Sequence, residues 1–215
     1  MDAKPYSAES LMTSEPIRNP ETDRLLTPNN AALVVIDYQP SQIGTVNSID
    51  RELLVNNIVS VARLAKTFDL PLVLSTINVA GGQAPTIPEL RAALPESVEI
   101  DRTAINAWED VEFRKAIDAL GRKKLIMTAL WTEVCLAFPS LDALRAGFEV
   151  YPVVDAVGGT SPEAHRAGLD RIVQAGAQPI SWVSLACELQ RDWARVKTVA
   201  DVVDIVLTSR LLASV

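Results

Sequence analysis

Ala31-Ala32-Leu33-Val34-Val35-Ile36 is an unbroken apolar run that stops at Asp37. It is too short for a stable helix and rich in β-branched residues, so it predicts a strand buried on both faces. The pattern returns at 70–76 (Leu-Pro-Leu-Val-Leu-Ser-Thr), at 124–130 (Lys-Leu-Ile-Met-Thr-Ala-Leu), at 149–154 and at 178–183. Between these runs the apolar spacing becomes helical. Leu54, Ile58, Val61, Ala62 and Ala65 mark a helix over 53–68, and further helices are expected over 109–120, 134–146 and 163–175. Gly121 and Gly147 stand where helix C-caps belong. Terminal helices are expected over 185–194 and 199–207, and the proline-rich stretch 80–95 reads as a loop with one short helix.

Strand and helix alternating at this spacing imply right-handed crossovers. The expected fold is therefore a doubly wound α/β domain, a mainly parallel β-sheet with helices on both faces. In such sheets the functional crevice lies beyond the carboxyl ends of the strands, so the residues just after each apolar run are the first candidates. Residues 1–27 are rich in Pro, Ser, Thr, Glu and Asn without sustained periodicity. They read as an irregular N-terminal arm, mobile or strapped to a neighbouring subunit, with 28–215 forming a single domain.

The composition excludes several partners. With 215 residues, a formal net charge of −7 and no Lys/Arg-rich run, the chain lacks the cationic face that a nucleic acid requires. No apolar stretch approaches the length of a membrane-spanning helix. The first ten residues lack the apolar core of a secretory signal, so a cytoplasmic location is expected. Two cysteines, Cys135 and Cys187, make no disulfide framework.

The inventory also narrows the chemistry. The one histidine, His165, lies in a polar stretch and reads as a solvated helix residue, which removes most Ser-His-Asp and Cys-His arrangements. No Gly-x-Ser-x-Gly elbow occurs. Asp37-Tyr38-Gln39-Pro40 stands where a Gly-rich phosphate loop would follow the first strand, so NAD and ATP sites lose their best support. No cofactor is expected, and no spacing of His and Cys suits zinc. Cys135 remains, shortly after the run 124–130 and at the start of a predicted helix. A thiol there meets unpaired N–H groups and the positive end of the dipole, which favours thiolate and predicts a depressed pKa. Cys187, within Leu185-Ala186-Cys187-Glu188-Leu189, reads as a buried structural residue. Taken alone, Asp37 could cap a turn, Arg102 could be a surface cation and Trp108 a core aromatic.

The segment Ala129-Leu130-Trp131-Thr132-Glu133-Val134-Cys135-Leu136-Ala137 resembles the nucleophile motif of the isochorismatase-like hydrolase superfamily. The first strand with Asp37 and Gln39, and Arg102-Thr103-Ala104-Ile105-Asn106-Ala107-Trp108, resemble its other two motifs in the same order. Thr132-Glu133-Val134-Cys135 with Ala137-Phe138-Pro139, and Ala186-Cys187-Glu188-Leu189, resemble the YcaC-like branch in particular. The resemblance runs from about residue 31 to residue 193. It implies a cysteine-dependent hydrolase acting on an amide-like C–N bond of a small molecule. Cys135 would be the nucleophile, Asp37 the general base and acid, and the backbone N–H groups of Trp131 and Cys135 the oxyanion hole. Gln39, Trp108 and Trp131 would line the substrate pocket, and the Leu130–Trp131 peptide would be cis.

In the family the basic residue is usually Lys. Arg102 stays protonated at any working pH, so it can orient Asp37 or stabilise a thiolate but cannot relay a proton. Nicotinamidase relatives hold a metal with Asp and His after the second strand; Ser75-Thr76-Ile77-Asn78 offers neither, so no catalytic metal is expected. True isochorismatases typically lack the cysteine, so Cys135 favours an amide over isochorismatase-type ether hydrolysis. The branch implies a homo-oligomer. The competing readings are a non-catalytic oligomeric binding or assembly protein on the same fold, and a nucleotide or flavin module.

Overall fold

The computed structural model describes residue 19 and residues 22–209. In chain order the elements are β1 (Ala31–Ile36), α1 (Pro40–Gly44), α2 (Arg51–Thr67), β2 (Leu72–Ile77), α3 (Pro88–Ala93), β3 (Glu99–Arg102), α4 (Val111–Ala119), β4 (Lys124–Ala129), α5 (Ala137–Arg145), β5 (Glu149–Pro152), α6 (Pro162–Gln174), α7 (Trp182–Gln190) and α8 (Val196–Thr208). The five strands form one sheet in the order β3-β2-β1-β4-β5, and every pairing is parallel. The doubly wound α/β expectation holds.

β1 is central and all six of its residues are buried. Because successive side chains in a strand point to opposite faces, Ala31, Leu33 and Val35 join one apolar core with Leu54, Ile58, Trp182, Val202 and Ile205. Ala32, Val34 and Ile36 join the other, with Phe113, Ile117, Ala143 and Ile172. The sheet is thus covered on one face by α2, α7 and α8 and on the other by α4, α5 and α6. A strand with both faces covered has no polar side to alternate, which is why β1 reads as a continuous hydrophobic run.

Two parts of the sheet differ from the sequence expectation. β3 is an additional edge strand. Its four residues Glu-Ile-Asp-Arg carry three charges, so only the short alternation from Val98 to Asp101 hints at it. Conversely, 178–183 contributes a single bridge, Val153 to Ile180, and no strand. Pro179 has no N–H for a ladder. Ser181 then starts α7 by accepting the Ser184 N–H at 3.1 Å, while Asp155 accepts the Trp182 N–H at 2.9 Å.

Most of the expected arm, 1–27, lies outside the described residues. Its described end packs on the domain of its own chain. Leu26 is buried, and its N–H donates to Glu188 Oε2 at 2.6 Å. Lys124 Nζ donates to the carbonyls of Asp23, Arg24 and Leu25.

Cys187 is exposed, contrary to the expectation of a buried residue. The buried positions of α7 include Trp182, Leu185, Ala186 and Leu189, one helical stripe, and Cys187 falls on the other side.

Candidate active site

The order β3-β2-β1-β4-β5 places the topological switch between β1 and β4, where chain direction across the sheet reverses. Ile36 and Ala129 are paired at the ends of those strands, so the loops bearing Asp37 and Cys135 leave the sheet side by side. Arg102 closes β3, two strands from β1, and its long side chain crosses the end of β2 to reach the same place. On the way its Nη1 donates to the Thr76 carbonyl at 3.2 Å. The structure therefore brings Asp37, Arg102 and Cys135 together.

Asp37 has φ 63°, a left-handed conformation that short polar residues tolerate better than others. Its N–H donates to the Ser75 carbonyl at 2.9 Å, and its carbonyl accepts the Gln39 N–H at 2.8 Å. The carboxylate accepts both Arg102 nitrogens in a bidentate pair, Nη1 to Oδ1 at 2.9 Å and Nη2 to Oδ2 at 2.7 Å, with both side chains wholly buried. Such a fork-to-fork pair fixes the carboxylate plane as well as its charge.

Cys135 belongs to a π-helical turn, Thr132–Leu136, that precedes α5. The Leu136 N–H reaches back five residues to the Trp131 carbonyl at 3.1 Å. π turns are rare and recur at functional sites. The thiol is 5 % exposed. It donates to the Ile105 carbonyl at 3.9 Å and lies beside the Asp37 carboxylate, while the Trp131 N–H faces the sulfur. The Leu130–Trp131 peptide is cis.

The thiol pKa runs opposite to the expected depression. Burial, reinforced by the charge and hydrogen bond of Asp37, pushes the Cys135 thiol up to about 12; Arg102 and the Trp131 N–H act the other way and lose. Burial also raises Asp37 above its ordinary 3.8, against the opposing pull of Arg102. A helix end offers its dipole to the sulfur, but desolvation and the neighbouring carboxylate outweigh it here. The raised thiol pKa follows from a site in which the sulfur is buried beside a carboxylate already paired with a guanidinium. In Cys187→Ser protein, ultraviolet thiolate absorbance is expected to stay absent between about pH 6 and 9, where an ordinary thiol titrates. Thiolate absorbance already present at about pH 6 would reinstate an acidic thiol.

Gln39 and Trp108, both expected to line the pocket, are held by contacts within the protein. Gln39 is fully buried, and its amide is engaged by backbone: Nε2 donates to Ile77 O at 3.1 Å and Ala84 O at 2.8 Å, and Oε1 accepts Ile77 N–H at 2.8 Å. It braces the loop after β2. Trp108 packs edge-on against Phe148 with centroids 5.7 Å apart, and the Arg114 guanidinium lies 4.1 Å over its ring. That is a core aromatic. Trp131 is half-buried, and its indole N–H donates to Gln42 O at 3.2 Å and Thr45 Oγ1 at 2.9 Å, tying the turn after β4 to α1. His165, expected to be solvated, is half-buried with Nδ1 2.8 Å from Thr132 Oγ1. Among the described residues no group of three or more His, Cys, Asp or Glu could hold a metal ion.

A parallel sheet of this order, with an aspartate after β1, a basic residue closing β3 and a cysteine in the turn after β4, defines an isochorismatase-like α/β hydrolase. The isochorismatase domain profile matches residues 31–184, and the chain belongs to that family and is a hydrolase. It is 41 % identical over 169 residues to the probable hydrolase YcaC of Escherichia coli, covering 78 % of this chain and 81 % of that protein. Among solved structures it is similar to YcaC from Pseudomonas aeruginosa, determined with hexane-2,5-diol and covalent acrylamide, with a TM-score of 0.83 and 36 % identity over 90 % of this chain and 96 % of that one. It is also similar to the E. coli YcaC gene product, described as an octameric hydrolase of unknown specificity, with a TM-score of 0.77 and 35 % identity over 93 % and 100 % of the two chains.

Proposed function

We propose that this hydrolase cleaves the C–N bond of a small amide through a thioester on Cys135. The observation that carries the reading is the buried Arg102–Asp37 pair set beside the Cys135 thiol, a clamped carboxylate in position to take its proton. As sulfur attacks the carbonyl carbon, Asp37 takes the S–H proton, so a free thiolate never has to persist in the buried site. The carbonyl oxygen gains the negative charge and is held by the N–H groups of Trp131 and Cys135, each such donor worth about 2.7–4 kcal/mol in the transition state. When the tetrahedral adduct collapses, the C–N bond breaks and protonated Asp37 gives its proton to the departing amine. Water then attacks the thioester, Asp37 accepting its proton and returning it to sulfur as the C–S bond breaks. Arg102 keeps its charge throughout and holds Asp37 in plane.

The near-complete burial of Asp37, Arg102 and Cys135, with Trp131 beside them, favours a small substrate. The covalent acrylamide in the P. aeruginosa YcaC structure, an amide-bearing electrophile, lends support. No described helix is long and apolar enough to cross a membrane, and the proposed setting is cytoplasmic. We further propose a homo-oligomer, on the strength of the octameric E. coli relative.

The reading is tested by rapid quenching during incubation with a panel of primary amides, followed by mass spectrometry. An acyl adduct is expected on the peptide containing Cys135 and not on the one containing Cys187. Turnover with no adduct on Cys135 under any quench condition, together with incorporation of solvent oxygen in a single direct step, would overturn it.

A further inference from the structure

We infer that His165 is a positioning residue for Cys135, its Nδ1 holding the Thr132 hydroxyl and so fixing the π-helical turn that presents the thiol. The inference rests on Cys135 being the nucleophile.

Thr132 opens the turn Thr132–Leu136 and is wholly buried. Its N–H donates to the Gly158 carbonyl at 2.9 Å, and its hydroxyl meets His165 Nδ1 at 2.8 Å. The next residue is held from the same side, Glu133 Oε1 accepting the Thr160 N–H at 3.0 Å and hydroxyl at 2.6 Å. Gly168, one helical turn beyond His165 on α6, lies so close that a Cβ there would come 2.8 Å from Glu133 Cα. Gly159 is equally confined, since a Cβ would come 2.6 Å from Glu133 Oε2 and 2.9 Å from His165 Cβ. Helix α6 and the 158–160 loop thus form a bed on which the first two residues of the turn are seated.

The seat matters because the turn carries the sulfur. The polar groups around it are the Ile105 carbonyl at 3.9 Å and the Asp37 and Trp131 groups it would use in the reaction. The turn hangs from its first residues, the Leu136 N–H donating to the Trp131 carbonyl at 3.1 Å and the Ala137 N–H to the Thr132 carbonyl, so the position of Cys135 follows that of Thr132. Misplacement of a reacting group by about 1 Å can cost 10²-fold in rate.

The chemistry of the ring fits this task. Burial holds the imidazole below its ordinary pKa against the opposing charge of Glu133, so the ring is neutral near pH 7. Of the two neutral tautomers, the one with Nδ1 unprotonated gives the buried Thr132 hydroxyl an acceptor for its proton.

The test uses the full chain carrying Cys187→Ser, with acrylamide as the probe and the second-order rate of labelling at Cys135 as the readout. His165→Leu and Thr132→Val are each expected to slow labelling by about ten- to a hundredfold. The double variant should be no slower than the slower single one, because both remove the same bond. His165→Asn, whose side-chain oxygen can sit where Nδ1 does, should recover most of the rate, which a purely space-filling role for the ring would not produce. Thr132→Val keeps the shape of the side chain and carries the test if His165→Leu does not fold. Wild-type labelling rates in both single variants, multiplying effects in the double variant, or a His165→Asn as slow as His165→Leu would each overturn the proposal while leaving Cys135 as nucleophile. Absence of labelling at Cys135 in the unmutated background would sink the nucleophile assignment, and this inference with it.

Discussion

Cys135→Ala is expected to abolish turnover of every amide the wild-type protein hydrolyses, with kcat/KM falling by about 10⁴-fold or more, as when a nucleophile is removed from a unit that acts together. The substitution deletes one sulfur atom from a site 5 % exposed. Its effect on folding should be small, within about 1 kcal/mol. Cys135→Ser should be nearly as inactive despite retaining a hydroxyl. The thiol is already pushed up to about 12, and an alcohol in the same buried place is harder still for Asp37 to deprotonate. Steady-state assays against the amide panel, with unfolding curves as a control, check both. Turnover within tenfold of wild type in a folded Cys135→Ala protein would remove the thioester route.

The second large effect is at Asp37. Asp37→Asn keeps the shape but removes the proposed base, and it strips Arg102 of its bidentate partner in a fully buried site. Arg102 Nε already lacks a hydrogen-bond partner, so the guanidinium would be a buried cation with little left to balance it. Breaking one side of such a pair costs about 3–5 kcal/mol. We expect Asp37→Asn to lose both turnover and stability, seen as a lower denaturation midpoint in urea. The double variant Asp37→Asn/Arg102→Met should recover much of the stability, because replacing both partners of a buried pair is often close to neutral. It should recover no activity. A double variant that regains turnover would show that the pair is structural and that the proton passes elsewhere. Activity of the wild type should also rise with pH through an Asp37 pKa lying above 3.8, since burial raises that group and the reaction needs it as carboxylate.

The parts of this site carried by long buried strands are legible in the order of amino acids alone. β1 and β4 lie in predominantly apolar runs, and the residues after them announce themselves by ending those runs. Arg102 is identifiable only by resemblance, because β3 is a short edge strand with three charged residues and no hydrophobic face to betray it. Its pairing with Asp37 spans 65 residues and the whole width of β2. No local pattern encodes such a contact. The thiol pKa escapes a sequence reading for a related reason: a helix start is visible in sequence, whereas burial and a neighbouring carboxylate are properties of the assembled core. Likewise the polar neighbours of His165 suggest a solvated ring, yet α6 turns that one position towards Thr132, 33 residues away. Gln39 stands at the right strand end for a ligand group, but its amide is fully engaged by the loop it braces.

A sulfur that rests as S–H has one more consequence. Peroxide and other two-electron oxidants attack thiolates far faster than thiols, and they need access to the atom. Cys135 is nearly buried and its thiol pKa is raised, so its oxidation by peroxide is expected to be slow. Oxidation is expected first at the exposed Cys187.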